Sequence, residues 1–372
     1  MRGMNGQEDT IGKRVLHDLR EGGVPRNVRR DLKDLELFYF AEEDRRRLSE
    51  MGLISRWFWR TVWLLKRVLL SLSAARRLLL ILAIVLFFVG PCTYQEGGVQ
   101  LRTDFDFISL GILLVIIMLE LKDKLHARSE LEAGHKVQSA LLPKRPPELA
   151  GWDIWLFTRP ANDVGGDLVD YVELSKGRLG LALGDVAGKG LAAALLMSKL
   201  QSTLRALVTR TASLAQLGSW LNDVFCRDGL PQRFASLVYL ELRPEDDRVQ
   251  LLNAGHLPPI LIRSKTHEAL PHGAPALGII PHVSFRRQNV VARPGDVLLV
   301  YSDGVVEARS EEGAFFGEER LHALLPLFRE KSSQEAGDAL VRAVDDFVGE
   351  APRNDDLSVI VLKRKRRPVK KR

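Results

Sequence analysis

The C-terminal two thirds of the chain predict an α+β fold, preceded by an α-helical hairpin. Three observations carry this prediction. Short segments with the two-residue period of a strand recur between 152 and 363, and helical segments with apolar residues at helical spacing lie among them. In SLVYLELRPEDDRVQLLNAG (236–255), a short polar turn joins two apolar runs, which favours antiparallel pairing. Two strongly apolar runs stand before residue 122.

The predicted strands lie at about 152–158, 168–174, 179–185, 235–242, 248–253, 259–263, 286–292, 296–302 and 357–363. Helices are predicted near 189–209, 213–227, 317–328 and 334–349. Strands and helices mixed in this order, with hairpin-like neighbours, are typical of an α+β domain.

Four acidic motifs stand where predicted strands meet loops. They are VGGDLVD (164–170), GDVAGKG (184–190), YSDGVVE (301–307) and NDDLS (354–358). A single aspartate in such a place is most often a helix cap or a turn residue. Four together predict a site for two hard metal ions, because Mg²⁺ and Mn²⁺ favour carboxylate and carbonyl oxygens. Without metal the carboxylates would repel one another and raise some of their pKa values.

The GDVAGKG turn shows how one of these aspartates is placed. Leucines at 179, 181 and 183 alternate with Gly180, Ala182 and Gly184, as in a strand with one very small face. A segment rich in helix formers follows, so Asp185 lies at a strand-to-helix turn, where the carbonyl of Val186 could supply another metal oxygen. The spacing of a dinucleotide or phosphate-binding loop is absent, which argues against a nucleotide-binding fold.

Several motifs agree in order with one family. KVQSALLPKRPP (136–147), PANDVGGDLVDY (160–171), GDVAGKGLAAALLMSKLQS (184–202), NAGHLPP (253–259), PGDVLLVYSDGVVEA (294–308) and RNDDLSVIVL (353–362) follow one another along the chain. In the order and residue types of these motifs, the chain resembles the metal-dependent PPM protein serine/threonine phosphatases, in the bacterial branch that includes SpoIIE and RsbU. The resemblance covers about 135–364. It implies two packed antiparallel β-sheets flanked by α-helices, with the metals at one edge of the sandwich.

The resemblance also implies a role for each acidic motif. Asp185, with the carbonyl of Val186, would bridge two Mn²⁺ or Mg²⁺ ions. Asp303 and Asp355 would be ligands of one ion, and Asp167 would serve the other directly or through water. A hydroxide held between the metals would attack the phosphorus of a phosphoserine or phosphothreonine, so Asp185 and Asp303 would be catalytic through that hydroxide.

Some residues of these motifs leave alternatives open. Eukaryotic members have a histidine just after the bridging aspartate that can protonate the leaving alcohol, whereas the matching position here is Ala187; a missing acid costs roughly 10²- to 10⁴-fold. Lys189 either contacts the substrate phosphate or is a solvent-facing helix residue. His256 is favoured as a hydrogen-bonded structural residue over one that orients a site loop. Asp170 and Glu307 are expected to be solvated or to support the ligands, and of Asp355 and Asp356 only one should face the metals.

Residues 67–121 predict a two-helix transmembrane hairpin, with helices at about 76–94 and 105–121. Lysines and arginines are dense before the first apolar run and return after the second, whereas 95–106 contains a single arginine. Positive charges stay in the cytoplasm, which predicts a multi-pass protein of the cytoplasmic (inner) membrane with its catalytic domain in the cytoplasm. The alternative is a soluble form that buries both helices.

The remaining segments are predicted as follows. Residues 1–66 form a basic helical N-terminal region whose run RWFWRTVWLLKR suits a membrane interface or a partner. Residues 122–143 form a linker helix, which in the resembling family supports dimers and here is expected to form a homodimer that sets metal-site occupancy. Residues 144–364 form the phosphatase domain. The basic tail, 365–372, is expected to attract lipid; nucleic-acid binding is the alternative, not favoured because no recognition module accompanies it.

The expected function is therefore that of a membrane-anchored, Mn²⁺- or Mg²⁺-dependent protein phosphatase. By the resemblance, its substrate would be a phosphorylated regulatory protein, a STAS-type anti-sigma-factor antagonist, in signal transduction that regulates a sigma factor. The alternative is a pseudophosphatase, or a membrane-tethered binding module, that recruits such a phosphoprotein without turnover. The four aspartates favour the enzyme, and the missing general acid favours the alternative.

Overall fold

The computed structural model describes residues 39–40, 42–89, 92–96, 99–103, 105–143, 145–211, 213–228 and 233–366. The chain divides into two compact units, Met1–Leu125 and His126–Arg372. The predictions for residues 1–38 and for the end of the basic tail, 367–372, lie outside the described residues.

The N-terminal unit is mainly helical. Its elements are α1 (Glu42–Ser49), α2 (Leu53–Ser71), α3 (Ala74–Val89), β1 (Cys92–Glu96), β2 (Val99–Thr103) and the start of α4 (Phe105–Leu141). Strands β1 and β2 pair antiparallel, with Cys92 opposite Thr103. The predicted helix at about 76–94 was therefore wrong at its C-terminal end, where residues from Cys92 onward form a strand. The sequence Gly90-Pro91 accounts for the end of α3, because the residue before a proline disfavours helical angles.

Polar contacts join the helices of this unit. Ser109 of α4 is buried and its hydroxyl donates to the carbonyl of Ala83 in α3, at 2.8 Å. Arg76, near the start of α3, donates to Glu120 at 2.7 Å and to Asp123 at 2.6 Å, both in α4. The two apolar helices therefore form an antiparallel pair that is tied at its basic end.

Large apolar side chains cover the outside of this helix pair. Phe88 is 81% exposed, Phe107 74% and Leu78 68%. Among the described helices, one has both the length and the apolar composition of a membrane-crossing segment, and it is Leu191–Val208 of the second unit. That helix packs in a protein core, with Met197 and Leu200 fully buried. The transmembrane hairpin therefore stays a prediction.

Among its described residues, the second unit has ten strands and five helices of its own, besides the C-terminal part of α4. The strands are β3 (Trp152–Arg159), β4 (Leu168–Glu173), β5 (Leu179–Val186), β6 (Ala235–Leu242), β7 (Arg248–Ala254), β8 (Ile260–Ile262), β9 (His267–Ala269), β10 (Gln288–Val291), β11 (Val297–Tyr301) and β12 (Leu357–Arg364). The helices are α5 (Leu191–Val208), α6 (Leu214–Asp228), α7 (Asp303–Val306), α8 (Gly317–Leu324) and α9 (Ser333–Val348). Short 3₁₀ turns lie at Ser175–Gly177 and Leu325–Arg329.

These strands form two five-stranded sheets, with every described pairing antiparallel. The first sheet has the order β10-β7-β6-β5-β4, and the second has the order β3-β12-β11-β8-β9. The prediction of two antiparallel sheets with flanking helices is confirmed. In this unit the predicted strands and helices all form. Strand β9 and helix α7 are additions, because segments of three or four residues are too short to show a period.

Three apolar layers hold the sandwich together. One lies between the two sheets and contains Leu181 and Leu183 with Leu298 and Ile360. The second lies between the first sheet and the pair α5 and α6, and the third lies between the second sheet and α8 and α9. Both faces of each sheet are therefore covered, which gives a helix-sheet-sheet-helix arrangement.

The small residues of β5 face helix α5. A Cβ atom added to Gly184 would lie 3.2 Å from the Leu200 side chain and 2.8 Å from the carbonyl oxygen of Ser236. The alternation of leucine with small residues therefore lets α5 approach the strand closely. Since α5 begins directly after the turn that follows Asp185, this close packing fixes where that turn lies.

Candidate metal centre

Two of the predicted ligands come from neighbouring strands of the first sheet. Asp185 is the penultimate residue of β5, and Asp167 immediately precedes β4. The antiparallel register places Gly184 opposite Leu168, so the two aspartates are neighbours across the strand pair. Both belong to the end of the sheet at which β5 leads into α5.

The other two predicted ligands come from the second sheet. Asp303 is the first residue of α7, two residues after the last residue of β11, and Asp355 lies two residues before β12. The register places Tyr301 opposite Val359, so the end of β11 and the beginning of β12 meet at one edge of this sheet. This edge carries both acidic motifs.

Electrostatics shows that the two pairs face each other. Burial, followed by the negative charges of Asp303, Asp355 and Asp356, raises the pKa of Asp185 to about 7. Burial, followed by the charges of Asp355 and Glu307, raises the pKa of Asp303 to about 6. Carboxylates that oppose one another's ionisation across two sheets form a region where a cation would be strongly favoured.

The polar groups at this point suit a hard divalent ion. Asp167 is buried, and burial together with the charge of Asp185 raises its pKa well above the usual value. Its Oδ2 accepts no hydrogen bond from any described residue. A Cβ atom on Gly166 would lie 3.2 Å from the Val186 carbonyl oxygen and 3.8 Å from Oδ1 of Asp185, so both oxygens border the same small space. Carboxylate and carbonyl oxygens are the donors that Mg²⁺ and Mn²⁺ prefer.

The described side chains do not form a closed cage. Within the described ranges, no three acidic, histidine or cysteine side chains converge tightly enough to hold an ion as they stand. The assignment of Asp167, Asp185, Val186, Asp303 and Asp355 as metal ligands therefore stays a prediction. The unpartnered carboxylate oxygen and the raised pKa values support it.

Lys189 lies at the same end of the sandwich. Its Nζ is 3.2 Å from Oδ2 of Asp355 and also donates to the carbonyl of Asn354. The side chain is 57% exposed, so the ammonium group is open to solvent at the mouth of the acidic region. Its place beside a predicted ligand is compatible with a contact to substrate phosphate, which stays a prediction.

Asp356 points away from its neighbour and holds a loop. Its carboxylate accepts from the backbone N–H groups of Ala161 at 2.7 Å, Gly166 at 2.6 Å and Asp167 at 3.3 Å. A Cβ atom on Gly165 would lie 2.6 Å from the same carboxylate, so a glycine is needed there. The loop that carries Asp167 in the first sheet is thus fastened to the second sheet.

The model of the family described as Stage II sporulation protein E (SpoIIE) matches residues 175–365. The chain belongs to the SpoIIE family. Its C-terminal domain is of the PPM type, in the branch that holds SpoIIE and RsbU. Residues 175–365 include the motifs of Asp185, Asp303 and Asp355; Asp167 lies outside the matched range.

Named relatives agree with this family membership. Protein IcfG of Synechocystis is 28% identical over 278 residues, which cover 67% of this chain and 43% of IcfG. Phosphoserine phosphatase RsbU of Bacillus subtilis is 29% identical over 244 residues, which cover 64% of this chain and 71% of RsbU. The chain thus spans less than half the length of IcfG.

Solved structures show the same fold. The SiaA-PP2C domain of Pseudomonas aeruginosa is 19% identical with a TM-score of 0.56, and the match covers 65% of this chain and 98% of that one. The RsbU and RsbW domains of Rv1364c from Mycobacterium tuberculosis are 26% identical with a TM-score of 0.50, over 59% of this chain and 61% of that one.

In this SpoIIE-family domain, helix α4 contacts the loop before Asp167. The side chain of Gln138 donates to the Gly165 carbonyl at 2.6 Å and accepts from the Gly165 N–H at 3.1 Å. A cavity of about 170 Å³ lies beside this contact, lined in part by His135, Asp167 and Asp356. The sequence did not indicate Gln138, because one glutamine in a charged helix has no distinguishing pattern.

His256 is hydrogen-bonded in the interior, as the sequence favoured. It is buried, its Nδ1 is 2.7 Å from the Ser236 hydroxyl, and its Nε2 is 3.1 Å from the Tyr301 carbonyl oxygen. Burial lowers its pKa to about 4. Both ring nitrogens are engaged in these hydrogen bonds, so neither is free to be a ligand of the predicted ions.

Two further charged residues have their places in the SpoIIE-family domain. Asp170 is fully buried and is paired with Arg205 of α5, at 2.7 and 2.6 Å, so it is a structural ion-pair residue and not a solvated one. Arg233 was not foreseen. Its guanidinium donates to the Ala187 carbonyl at 2.7 Å, in space that a Cβ atom on Gly188 would occupy.

Proposed function

We propose that the chain is a Mn²⁺- or Mg²⁺-dependent phosphatase that hydrolyses phosphoserine or phosphothreonine on a regulatory protein. One observation carries this proposal. Half-buried aspartates from two different sheets, Asp185 and Asp303 above all, face each other at the edge where the SpoIIE-family motifs meet, and the charge of Asp303 adds to the burial that raises the pKa of Asp185 to about 7. Such a group of carboxylates is stabilised by cations and has no role in holding an apolar sandwich together.

The chain's own residues would divide the work as follows. Asp185 and the carbonyl of Val186 would contact both ions. Asp303 and Asp355 would hold one ion, and Asp167 would hold the other. When bound, such ions supply the positive charge that activates water and offsets the charge on the phosphoryl oxygens.

At the substrate side of the site, the described residues supply a cation, and the position of the family's general acid holds an alanine. Lys189, whose ammonium group is solvent-open beside Asp355, would bind a phosphoryl oxygen. The side chain of Ala187 donates no proton, and the nearby guanidinium of Arg233 stays protonated at any physiological pH. The leaving alkoxide would therefore take its proton from water, and turnover would be slow.

The proposed substrate class is a phosphorylated STAS-type antagonist of an anti-sigma factor. RsbU and RsbP of Bacillus subtilis are both named phosphoserine phosphatases, and RsbP is 27% identical over 190 residues, which cover 50% of this chain and 47% of RsbP. One solved neighbour joins an RsbU domain to an RsbW domain in a single protein. These names support a regulatory-protein substrate.

The proposed location is the cytoplasmic membrane, with the catalytic domain in the cytoplasm. The apolar side chains on α3 and α4 support it, because Phe88 and Phe107 are more than 70% exposed and water would disfavour so large an apolar surface. The ion pairs of Arg76 with Glu120 and Asp123 would then lie at the cytoplasmic boundary. Helix α2, with its tryptophans and arginines, would lie in the interface of the same leaflet.

The linker helix is proposed to form a homodimer and to control the metal site. Support comes from Gln138, whose side chain holds both polar groups of Gly165. A rotation of α4 would break these hydrogen bonds and shift the loop that carries Asp167. Metal affinity that is equal in dimeric and monomeric forms of the chain would contradict this part of the proposal.

The test is phosphate release by the full chain in detergent, from an aryl phosphate and from a phosphoserine protein, with Mn²⁺ titrated. Turnover that needs Mn²⁺ and is lost in Asp185→Ala and Asp303→Ala is expected. Arg364→Met is the matched control, because Arg364 is buried at the opposite end of β12. Turnover that persists in both aspartate variants would refute the site.

A second candidate is a pseudophosphatase that binds a phosphoprotein without turnover. The absence of a proton donor at Ala187 favours it. A chain that binds Mn²⁺ and the phosphoprotein, but releases no phosphate under any condition tested, would establish this candidate instead.

A further inference from the structure

A buried histidine joins the two sheets beside the candidate metal centre. His256 lies two residues after Ala254, the last residue of β7 in the first sheet. The Asn253 side chain accepts from the His256 N–H at 2.9 Å and donates to the His256 carbonyl at 3.1 Å. Gly255 has φ +69 and leaves no room for a side chain, because a Cβ atom there would lie 2.4 Å from the nitrogen of Ala276. These contacts therefore aim the imidazole inward in one fixed direction.

The contacts of the ring define its tautomer. Nε2 lies 3.1 Å from the Tyr301 carbonyl oxygen, which can only accept, so Nε2 carries the hydrogen. In a neutral imidazole Nδ1 is then the acceptor, and the Ser236 hydroxyl donates to it at 2.7 Å. Each ring nitrogen thus has one partner, and the hydroxyl and the carbonyl are both satisfied by the same side chain.

These two partners lie directly beside the predicted ligands. Ser236 is in β6 of the first sheet, and the register pairs it with Asp185. Tyr301 is the last residue of β11 in the second sheet, two residues before Asp303. The imidazole therefore spans the interval between the strand end that carries Asp185 and the strand end that carries Asp303.

We propose that His256 is a positioning residue for the metal centre. Through Ser236 and the Tyr301 carbonyl, it sets the separation of the strand ends that carry Asp185 and Asp303. This inference rests on the metal-dependent function proposed above. Mg²⁺ and Mn²⁺ tolerate little error in the distances to their oxygen ligands, and partners that orient ligands typically change metal affinity by about 10- to 100-fold.

The sandwich offers a matched contact that joins the same two sheets away from the site. Arg364 ends β12 and is buried; it donates to Asp247 at 2.6 Å and to the Gly151 carbonyl at 2.6 Å. Asp247 immediately precedes β7 of the first sheet, so this contact also crosses from one sheet to the other. Replacement of Arg364 tests whether a general loosening of the sandwich weakens metal binding. Replacement of His256 tests whether the separation of the strand ends that carry Asp185 and Asp303 does so.

The experiment is calorimetric titration of the full chain in detergent with MnCl₂, for wild type, His256→Leu, Ser236→Ala, His256→Gln and Arg364→Met. The first two variants are expected to bind Mn²⁺ about 10- to 100-fold more weakly. His256→Gln is expected to restore most of the affinity, because its amide again offers one acceptor and one donor. Arg364→Met is expected to lower the thermal midpoint in chelator and to bind Mn²⁺ like wild type.

The outcomes separate this inference from the proposed function. Wild-type affinity in folded His256→Leu and Ser236→Ala overturns the positioning role, as does equal weakening in Arg364→Met. If His256→Leu does not fold, Ser236→Ala decides alone, since it removes a single oxygen. Weakened Mn²⁺ binding in a protein that releases no phosphate upholds the inference and refutes the phosphatase. A wild-type chain that binds no Mn²⁺ overturns both.

Discussion

Replacement of Gly166 by alanine should weaken metal binding without unfolding the domain. The new Cβ atom would lie 3.2 Å from the Val186 carbonyl oxygen, 3.4 Å from the Ala193 Cβ and 3.8 Å from Oδ1 of Asp185. The first distance is shorter than ordinary van der Waals contact and the second is at its lower limit, so the carbonyl or the loop must move by a few tenths of an ångström. The carbonyl is a predicted metal ligand, and this displacement acts directly on it.

The expected loss of metal affinity follows from how little error the ions tolerate in the distances to their oxygen ligands. Mg²⁺ demands oxygens at about 2.0–2.1 Å in near-ideal geometry, so a shift of a few tenths is a large error. A loss of about 10- to 100-fold in affinity, which corresponds to roughly 1.4–2.8 kcal/mol, is expected. The added methyl group should also cost about 1–3 kcal/mol of folding free energy through overpacking.

The assay is Mn²⁺ titration calorimetry, with thermal unfolding in chelator as the measure of folding. Gly180→Ala is the control, because a Cβ atom at Gly180 would lie 2.1 Å from the Tyr239 hydroxyl oxygen, near the opposite end of β5. The control should lose stability and keep its Mn²⁺ affinity. If Gly166→Ala binds Mn²⁺ as tightly as wild type, the Val186 carbonyl is not a ligand and the reasoning fails.

Three further predictions concern stability. At Mn²⁺ concentrations of about 100 times the dissociation constant, the metal should add about 2.7 kcal/mol to the unfolding free energy of the wild type. The thermal midpoint should therefore be higher in Mn²⁺ than in chelator, and this difference should vanish in Asp185→Asn. Arg205→Met should lower the free energy of unfolding in urea by about 3–5 kcal/mol, because it leaves the fully buried Asp170 carboxylate unpaired. Asp170→Asn should lower it by less, because the Arg205 side chain is 48% exposed and can turn to water. A larger loss in Asp170→Asn than in Arg205→Met would contradict this prediction. Gly134→Ala should stabilise α4 by about 1 kcal/mol and raise the thermal midpoint, because a Cβ atom there meets only ordinary contacts at 3.8 and 3.9 Å. An unchanged or lower midpoint would show that the helix needs this glycine.

The fold could be predicted well where the spacing of apolar residues in the sequence matched the side chains that are buried in the structure. In β5 the leucines at 181 and 183 face the second sheet, and the small residues between them face α5, so the two-residue period was visible. The hairpin of β1 and β2 was missed, because residues 92–94 continue an apolar run and were interpreted as the end of a helix. The sequence Gly90-Pro91 is the signal that could have separated the helix from the strand, because the residue before a proline disfavours helical angles.

The candidate site was predictable only in part. Each acidic motif could be placed at a strand end, and the register then brought Asp167 next to Asp185. The orientation of Asp356 toward the backbone of Gly166 could not be predicted, because it depends on how the two sheets meet. Gln138 and Arg233 contact backbone carbonyls that are distant in sequence, and a hydrogen bond to a carbonyl imposes no pattern on the chain around it.

The predicted ligands differ in how firmly the fold holds them. Asp185 lies within a strand and is flanked by ladder partners, and Asp303 begins a helix two residues after a buried strand. Asp167 precedes its strand, and the loop before it is held by the side chains of Asp356 and Gln138. Loops open at lower free-energy cost than central strands, so of these three residues Asp167 is the one whose position an outside element can change most easily. Since Gln138 belongs to α4, a signal carried by that helix would reach the metal centre first at Asp167, while His256 keeps the separation of the other two fixed.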